Sequence, residues 1–147
     1  MADHGLLATF AIADMWCAVD VRHVREVLLD QELAAVPMAP TGVIGLLNLR
    51  GQVLAAVDLR ALMALPPRAP GESAIHYIVE HGDAVESMVV DRAGAVVDTA
   101  DLQRRPVPET TPPAIASMLE CAYQNGDEIV LMVRLDEVHR KTGKQVR

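Results

Sequence analysis

Short apolar runs joined by tight polar turns constrain the fold of this chain more than any other feature. Two such runs, residues 43–49 and 52–57, flank the pair Arg50-Gly51. A two-residue connection is typical of an antiparallel hairpin, and glycine supplies the positive φ that other residues resist. The stretch therefore predicts two strands joined by a tight turn.

Two further segments follow the same rule. Residues 13–14 and 81–83 are turns between apolar runs, and each pair of runs is predicted to form a hairpin. An aspartate follows two of the apolar runs. Asp20, after residues 15–19, is expected to begin one or two helical turns, and Asp58, after residues 52–57, is expected to cap a helix over residues 59–65. The predicted strands of these two hairpins cover residues 6–12, 15–19, 74–79 and 85–90.

The two halves of the chain resemble each other. Asp20 and Asp91 both follow a predicted hairpin, and Val57 corresponds to Val133 in the strand-then-helix pattern that comes later in each half. The two members of each pair are separated in the sequence by about half of the chain length. This separation predicts an internal duplication that builds two small barrel-like β subdomains packed together. Chance similarity between short strands is the alternative. Because each half alone would bury only a marginal core, we expect the halves to fold as one unit.

A stretch rich in proline and glycine, residues 66–72, marks the connection between the halves. We therefore expect residues 1–147 to form a single domain. Its first subdomain is expected to cover roughly residues 14–75, and its second roughly residues 76–138 together with the N-terminal strand.

Composition argues against several classes of function. The formal net charge is -7 and the isoelectric point about 5.1, which opposes the phosphate attraction that drives nucleic-acid binding. Aromatic residues make up only 3% of the chain, so few side chains are available to stack on bases. No apolar run approaches the length of a membrane span, about 18 residues, and no basic segment precedes a hydrophobic one near the N-terminus. We expect a cytoplasmic protein with no nucleic-acid partner and no direct membrane insertion.

Residues with catalytic or metal-binding chemistry form no recognisable pattern. The histidines include no i, i+4 pair with an adjacent acid and are expected at surface or edge positions. Cys17 and Cys121 stand among apolar neighbours and are expected to be buried, reduced thiols. The chain is therefore predicted to be no enzyme, to bind no metal or cofactor, and to act by binding other proteins. The five histidines are His4, His23, His76, His81 and His139.

The turn Asn48-Leu49-Arg50-Gly51, with the apolar runs around it, resembles the signature of the CheW family, the adaptors that couple bacterial chemoreceptors to a histidine kinase. The similarity extends from about Leu6 to about Lys141, and the order and spacing of its pieces make it specific. It implies a mainly β fold of two packed five-stranded β-barrel-like subdomains with short helices. It also implies a non-enzymatic coupler that is recruited to membrane-associated receptor arrays.

The resemblance implies a receptor-binding groove between the subdomains that accepts the tip of the chemoreceptor's helical hairpin. Aliphatic residues would give area to the receptor helix, and a small residue such as Gly45 would let it approach closely. Glu26 and Arg50 are expected to form an ion pair, because family members place an acid and an arginine at these positions. The alternative is that Arg50 only decorates a hairpin turn. The matching positions are Val21, Val24, Glu26, Gly45 and Arg50.

The second implied partner is the regulatory domain of a CheA-type histidine kinase, which has the same pair of subdomains, and other CheW-like proteins are further candidates. Leu28, Leu29 and Val36 are the expected kinase contacts, although an ordinary core-facing strand explains them nearly as well. Two departures from the family pattern, Ala55 in place of proline and leucine at positions 46–47, leave room for an alternative. In that reading the chain is a scaffold or array filler in a system that controls pili or a second messenger, and it docks on the kinase without binding a receptor.

Overall fold

The computed structural model describes residues 5–143. This part of the chain contains eleven strands, three short α-helices and two 3-10 turns. The strands are β1 Leu6–Ile12, β2 Met15–Asp20, β3 Val24–Leu28, β4 Val43–Leu49, β5 Gln52–Asp58, β6 Ile75–His81, β7 Ala84–Val90, β8 Arg92–Asp98, β9 Gln103–Arg105, β10 Leu119–Asn125 and β11 Glu128–Val133. The helices are α1 Leu59–Leu62, α2 Pro113–Ala116 and α3 Leu135–Gly143, and the 3-10 turns are Val21–His23 and Thr99–Asp101.

The strands form two sheets with the same internal order. The six-stranded sheet runs β8-β1-β2-β11-β10-β9, and the five-stranded sheet runs β3-β6-β7-β5-β4. In each sheet one pair is parallel, β2 with β11 and β5 with β7, and the remaining pairs are antiparallel. The predicted mainly β, two-sheet architecture is confirmed. One sheet has six strands rather than five because β9 adds to its edge.

The strand registers confirm the internal duplication. In the β4–β5 hairpin Leu49 faces Gln52, and in the β10–β11 hairpin Asn125 faces Glu128. These pairs are separated by the same number of residues as Val57 and Val133, so the predicted match of those two valines is confirmed. Both hairpins also carry a register shift at the same place, near Val43 and near Leu119.

The match of Asp20 to Asp91 is wrong. Ile12 faces Met15 across the β1–β2 turn, and His81 faces Ala84 across the β6–β7 turn, so Ile12 and His81 occupy the same position in their hairpins. Counting along the two hairpins from these residues, Asp20 is equivalent to Val89 and not to Asp91. The turn of the second hairpin could not be placed to the residue from its composition alone.

Each half of the chain gives its first hairpin to the other half's sheet: β1 and β2 join β8–β11, and β6 and β7 join β3–β5. Strand β3 follows β2 in the chain but pairs with β6, and β8 follows β7 but pairs with β1. The expected boundaries, 14–75 and 76–138, therefore do not separate the two sheets: β2 lies in the six-stranded sheet, while β6 and β7 lie in the five-stranded one. A boundary read from sequence order could not anticipate this exchange.

The largest apolar cluster lies between the sheets and takes buried side chains from both, Phe10, Val57, Tyr77, Met88 and Val133 among them. Much smaller clusters belong to the individual sheets, around Leu47, Leu54 and Ile78 in one and around Leu7, Ala18, Cys121, Tyr123 and Met132 in the other. Burial of apolar surface is the main driving force for folding. The two sheets therefore depend on each other for most of their core.

Local expectations from the sequence hold in part. Asp58 caps α1 as predicted, accepting a hydrogen bond from the Arg60 amide at 3.0 Å, but the helix ends at Leu62. After Asp20 a single 3-10 turn forms before β3 begins. Both cysteines are buried as predicted, and burial raises the pKa of Cys17 to about 12.

The expectation for the histidines fails at His76, which is buried and lies 2.7 Å from the Ser87 hydroxyl through its Nδ1. His4 lies outside the described residues. The neighbouring strand β7 brings Ser87 to His76, so a polar partner satisfies the imidazole and its burial is tolerated.

Tyr77 joins the two sheets by hydrogen bonds as well as by packing. Its hydroxyl donates to the Thr9 carbonyl at 2.7 Å and accepts from the Gly94 amide at 3.3 Å, so a side chain of β6 bonds to β1 and β8. Its ring lies edge to face against Phe10, with 5.2 Å between the centroids. Because the Tyr77 side chain is buried, water does not readily replace these bonds.

Replacing Tyr77 with Phe should lower the free energy of unfolding by about 1–2 kcal/mol, because the Thr9 carbonyl and the Gly94 amide lose a buried partner while the ring stays in place. Urea unfolding followed by far-UV circular dichroism measures the change. A single transition with an unchanged slope is expected, since the sheets share one core. Unaltered stability would show that Tyr77 does not join the sheets.

Candidate functional site

Glu26 and Arg50 form a bidentate ion pair, as predicted. Arg50 donates from Nη1 to Glu26 Oε2 at 2.7 Å and from Nη2 to Oε1 at 2.9 Å. The hydrogen bond from Arg50 is the main cause that lowers the pKa of Glu26. Because β3 carries Glu26 and the β4–β5 turn carries Arg50, the pair bridges the two outer strands of the five-stranded sheet. The arginine side chain stays 71% exposed.

Both central residues of the turn that carries Arg50 have a positive φ. Glycine was expected to supply the positive φ, and Gly51 does so at 86°, but Arg50 also has a positive φ of 50°. The Asn48 side chain stabilises the turn by accepting a hydrogen bond from the Gly51 amide at 3.1 Å. In the duplicated β10–β11 turn the position of Arg50 is taken by Gly126, with a φ of 60°. An arginine therefore occupies a conformation that the duplicate assigns to glycine.

A shallow cleft of about 270 Å³ opens beside the ion pair. Val21 and Val24 do not line it: they are half-buried and pack against the cluster between the sheets. The structure thus brings Glu26 and Arg50 together, and it places Val21 and Val24 on the same continuous segment but outside this cleft. The sequence reasoning missed Arg25 and Gln52. The cleft is lined by Arg25, Glu26, Leu49, Arg50, Gln52 and Ile78.

Gly45 does not offer an open approach to a partner helix. A Cβ at this position would lie 2.8 Å from Leu33 Cβ and 2.9 Å from the Ala34 carbonyl oxygen. The chain's own segment covers Gly45, because Ala34 and Leu46 exchange backbone hydrogen bonds at 2.9 and 2.8 Å. The expected reason for a small residue here is therefore wrong. The glycine accommodates residues 33–34.

The three expected kinase contacts have different environments. Leu28 is half-buried against the small cluster of the five-stranded sheet, as the core-facing alternative requires. Leu29 is 75% exposed, and Val36 is half-buried. Met38, which the sequence reasoning missed, is fully exposed on a turn with a φ of 57°. The preceding Pro37 is the sequence signal for such a turn, since proline favours its first central position.

The described residues offer no centre for metal chemistry. Among residues 5–143 there is no group of three or more histidine, cysteine or acidic side chains placed to hold a metal ion. None of the helices in that part of the chain is both long and apolar enough to cross a membrane.

Comparisons with known proteins agree with the two-sheet fold described above. A family model described as CheW-like domain matches residues 7–142. The chemotaxis protein CheW of Helicobacter pylori is 26% identical over 132 residues, covering 90% of this chain and 79% of the relative. The chemotaxis protein CheW of Rhizobium meliloti is 27% identical over 137 residues, covering 90% of this chain and 85% of the relative. The crystal structure of the scaffolding protein TtCheW from Thermoanaerobacter tengcongensis has the same fold, with a TM-score of 0.81 over 97% of both chains at 22% identity.

Replacing Gly45 with Ala should destabilise the fold by about 1–3 kcal/mol, because the added methyl group overlaps Leu33 and the Ala34 carbonyl. Chemical denaturation measures the loss, and hydrogen exchange should show reduced protection of the Ala34 and Leu46 amides. Ile44→Ala on the same strand is the matched control, since Ile44 is 46% exposed. Full stability of the Gly45 variant would contradict this account of the glycine.

Proposed function

The chain belongs to the CheW-like family, and from this we propose that it is a non-enzymatic adaptor that couples chemoreceptors to a CheA-type histidine kinase in a chemosensory array. The proposed receptor surface consists of the Glu26–Arg50 pair together with Val21 and Val24. Gly45 supports this surface indirectly, by letting residues 33–34 lie against β4. The proposed adaptor turns over no substrate, uses no cofactor, and acts at receptor arrays from the cytoplasm.

The observation that carries this proposal is the conformation of Arg50. An exposed ion pair contributes little to stability, and a positive φ is unfavourable for a residue with a side chain. The duplicated turn has Gly126 at the same position, so glycine fits the hairpin without this strain. Backbone strain that stability does not repay is concentrated at functional sites. We therefore assign Arg50 to partner binding.

The geometry of the pair suits recognition of a polar group on a helical partner. Two of the five guanidinium N–H groups bond to Glu26 and hold the arginine plane in a fixed direction. The side chain is 71% exposed, which leaves the guanidinium accessible to a partner. A fixed, planar donor set discriminates the orientation of an acceptor better than a mobile one. The half-buried valines at positions 21 and 24 would supply apolar contact on the adjoining segment.

For the kinase we propose a separate surface on the segment that follows β3. Leu29 and Met38 are the most exposed large apolar side chains on this segment. Apolar side chains that solvent surrounds in the monomer gain most from burial in an interface. Leu28 and Val36 are half-buried and would contribute less surface to this contact.

Replacing Arg50 with Gly should weaken capture of a receptor-tip fragment about tenfold, the effect of losing one charge-assisted hydrogen bond. Stability should be unchanged or higher, because glycine adopts the positive φ freely. Titration calorimetry with the receptor fragment and with the kinase regulatory domain, alongside thermal unfolding, separates the effects. Arg105→Gly, at an exposed arginine on β9, is the matched control. Undiminished receptor capture would refute the assignment.

Replacing Leu29 with Arg should lower affinity for the kinase regulatory domain at least about tenfold, because a charge would then enter an apolar interface. Receptor capture should not change. Leu6→Arg, at a leucine that is 47% exposed on β1, is the control. Retention of the kinase by a wild-type chain that captures no receptor would favour the scaffold reading over the coupling adaptor.

A further inference from the structure

A second arginine lines the charged cleft, the one that lies beside the Glu26–Arg50 pair, and a β-bulge brings it there. The register of β3 against β6 shifts between Val24 and Glu26, so Arg25 and Glu26 together oppose Ile78. Consecutive side chains of an unbroken strand point to opposite faces of the sheet. Here both Arg25 and Glu26 line the same cleft. The bulge therefore adds a guanidinium group to the charged cleft.

The duplicated strand, β8, has a bulge at the same place but no charge in it. Its register against β1 shifts between Ala93 and Val96. Gly94 stands there where Arg25 stands in β3, and a Cβ at Gly94 would lie 2.7 Å from Trp16 Cζ3. Both β3 and β8 are outer strands of their sheets. A bulged outer strand thus folds without an arginine, and protection of an exposed sheet edge does not account for Arg25.

The charged cleft and its duplicate also differ in the sign of their charge. The lining of the charged cleft includes two arginines, Arg25 and Arg50, and one acid, Glu26. The duplicate, an apolar cleft of about 220 Å³ on the six-stranded sheet, has the acid Glu128 in its lining, and the corresponding residue of the charged cleft is the neutral Gln52. The charged cleft is therefore a positive site on a chain whose formal net charge is -7. Such a site attracts an anionic group of a partner.

Arg25 can change its partner without disturbing the Glu26–Arg50 pair. Its Nε lies 3.3 Å from Glu80 Oε1, and the side chains of Arg25 and Glu80 are 47% and 44% exposed. An ion pair this exposed contributes little to stability. The hydrogen bond from Arg50 is the main cause that lowers the pKa of Glu26, and the charge of Arg25 lowers it further, so this charge acts inside the cleft.

We propose that Arg25 is a specificity-determining residue of the receptor surface and selects an aspartate or glutamate side chain on the receptor tip. The inference rests on the proposed function, because the same cleft contains Arg50. A carboxylate that enters the cleft meets two guanidinium groups, and the planar guanidinium matches the geometry of a carboxylate. Arg25 then exchanges its exposed pair with Glu80 for a pair within the interface.

Replacing Arg25 with Gln should weaken binding of a receptor-tip fragment about three- to tenfold, mainly through slower association, because the cleft loses one of its two cations. Surface plasmon resonance at low and at physiological salt measures the rates, and the loss should shrink as salt rises. Thermal unfolding should not change. Arg134→Gln is the matched control, since Arg134 is 41% exposed and lies 3.2 Å from Asp136, outside the charged cleft. Equal effects of the two substitutions would overturn the inference.

Glu80→Gln separates recognition from a structural role. If Arg25 served only to tie β3 to β6 through Glu80, loss of either partner would change receptor binding in the same way. The inference requires different results, because Glu80→Gln removes a carboxylate that competes for Arg25. The Glu80 variant should bind the receptor fragment at least as tightly as the wild-type chain. Weakened binding by the Glu80 and Arg25 variants alike would overturn the inference.

Amide substitutions in the receptor fragment test the chemistry of the selected group. Each aspartate and glutamate of the fragment is exchanged in turn for asparagine or glutamine. One exchange should weaken binding to the wild-type chain and have no further effect on the Arg25→Gln variant. If the wild-type chain binds the fragment and no exchange is coupled to Arg25 in this way, the inference alone is overturned. Absence of binding by the wild-type chain would overturn the proposed function, and this inference with it.

Discussion

The exchange of the hairpins β1–β2 and β6–β7 between the two halves of the chain is the constraint on which the rest of the structure depends. Neither half of the chain completes its own sheet, and the main apolar cluster forms only when the sheets meet. Tyr77 adds buried hydrogen bonds across the same boundary. Elements that share one core unfold together, so a binding event at one sheet acts on a body that includes the other. An adaptor that acts only through its binding surfaces needs those surfaces to belong to one folded unit.

The duplicated scaffold differs between its copies at the proposed receptor surface. Arg50 corresponds to Gly126, and Glu26 corresponds to Ala95 in the match of strands that equates Ile12 with His81. Neither alanine nor glycine carries a charge, so the ion pair has no counterpart in the six-stranded sheet, where Trp16 and Ile129 line an apolar cleft. The hairpin geometry does not require the charged pair, since the second copy folds without it. The pair is thus an addition to the repeated plan, which supports a role in binding.

Local features of the fold could be predicted from the sequence, and long-range features could not. The hairpin turns and the Asp58 cap depend on neighbouring residues and were found at the expected places. Strand β8 was missed because its partner β1 lies far away in the chain, and β9 because a loop and α2 separate it from its partner β10. Strand β10 was missed although its other partner, β11, follows it directly. Gly45 was misread for the same reason, as the covering residues 33–34 are placed by tertiary structure. The Glu26–Arg50 pair was predictable only through the family resemblance, because its members lie on separate strands and their spacing alone does not bring them together.

The chain passes from one sheet to the other at two places, and contacts of different chemistry hold them. Asp91, between β7 and β8, accepts hydrogen bonds from the Ala13 amide, from Arg60 and from Arg68. Residues 21–23, between β2 and β3, are held by Val21, which packs against the shared core, and by His23, whose Nδ1 lies 2.9 Å from the Glu80 carbonyl oxygen. Both passages are thus tied to the sheet that they enter, so the residues of the proposed receptor surface belong to the same body as the shared core.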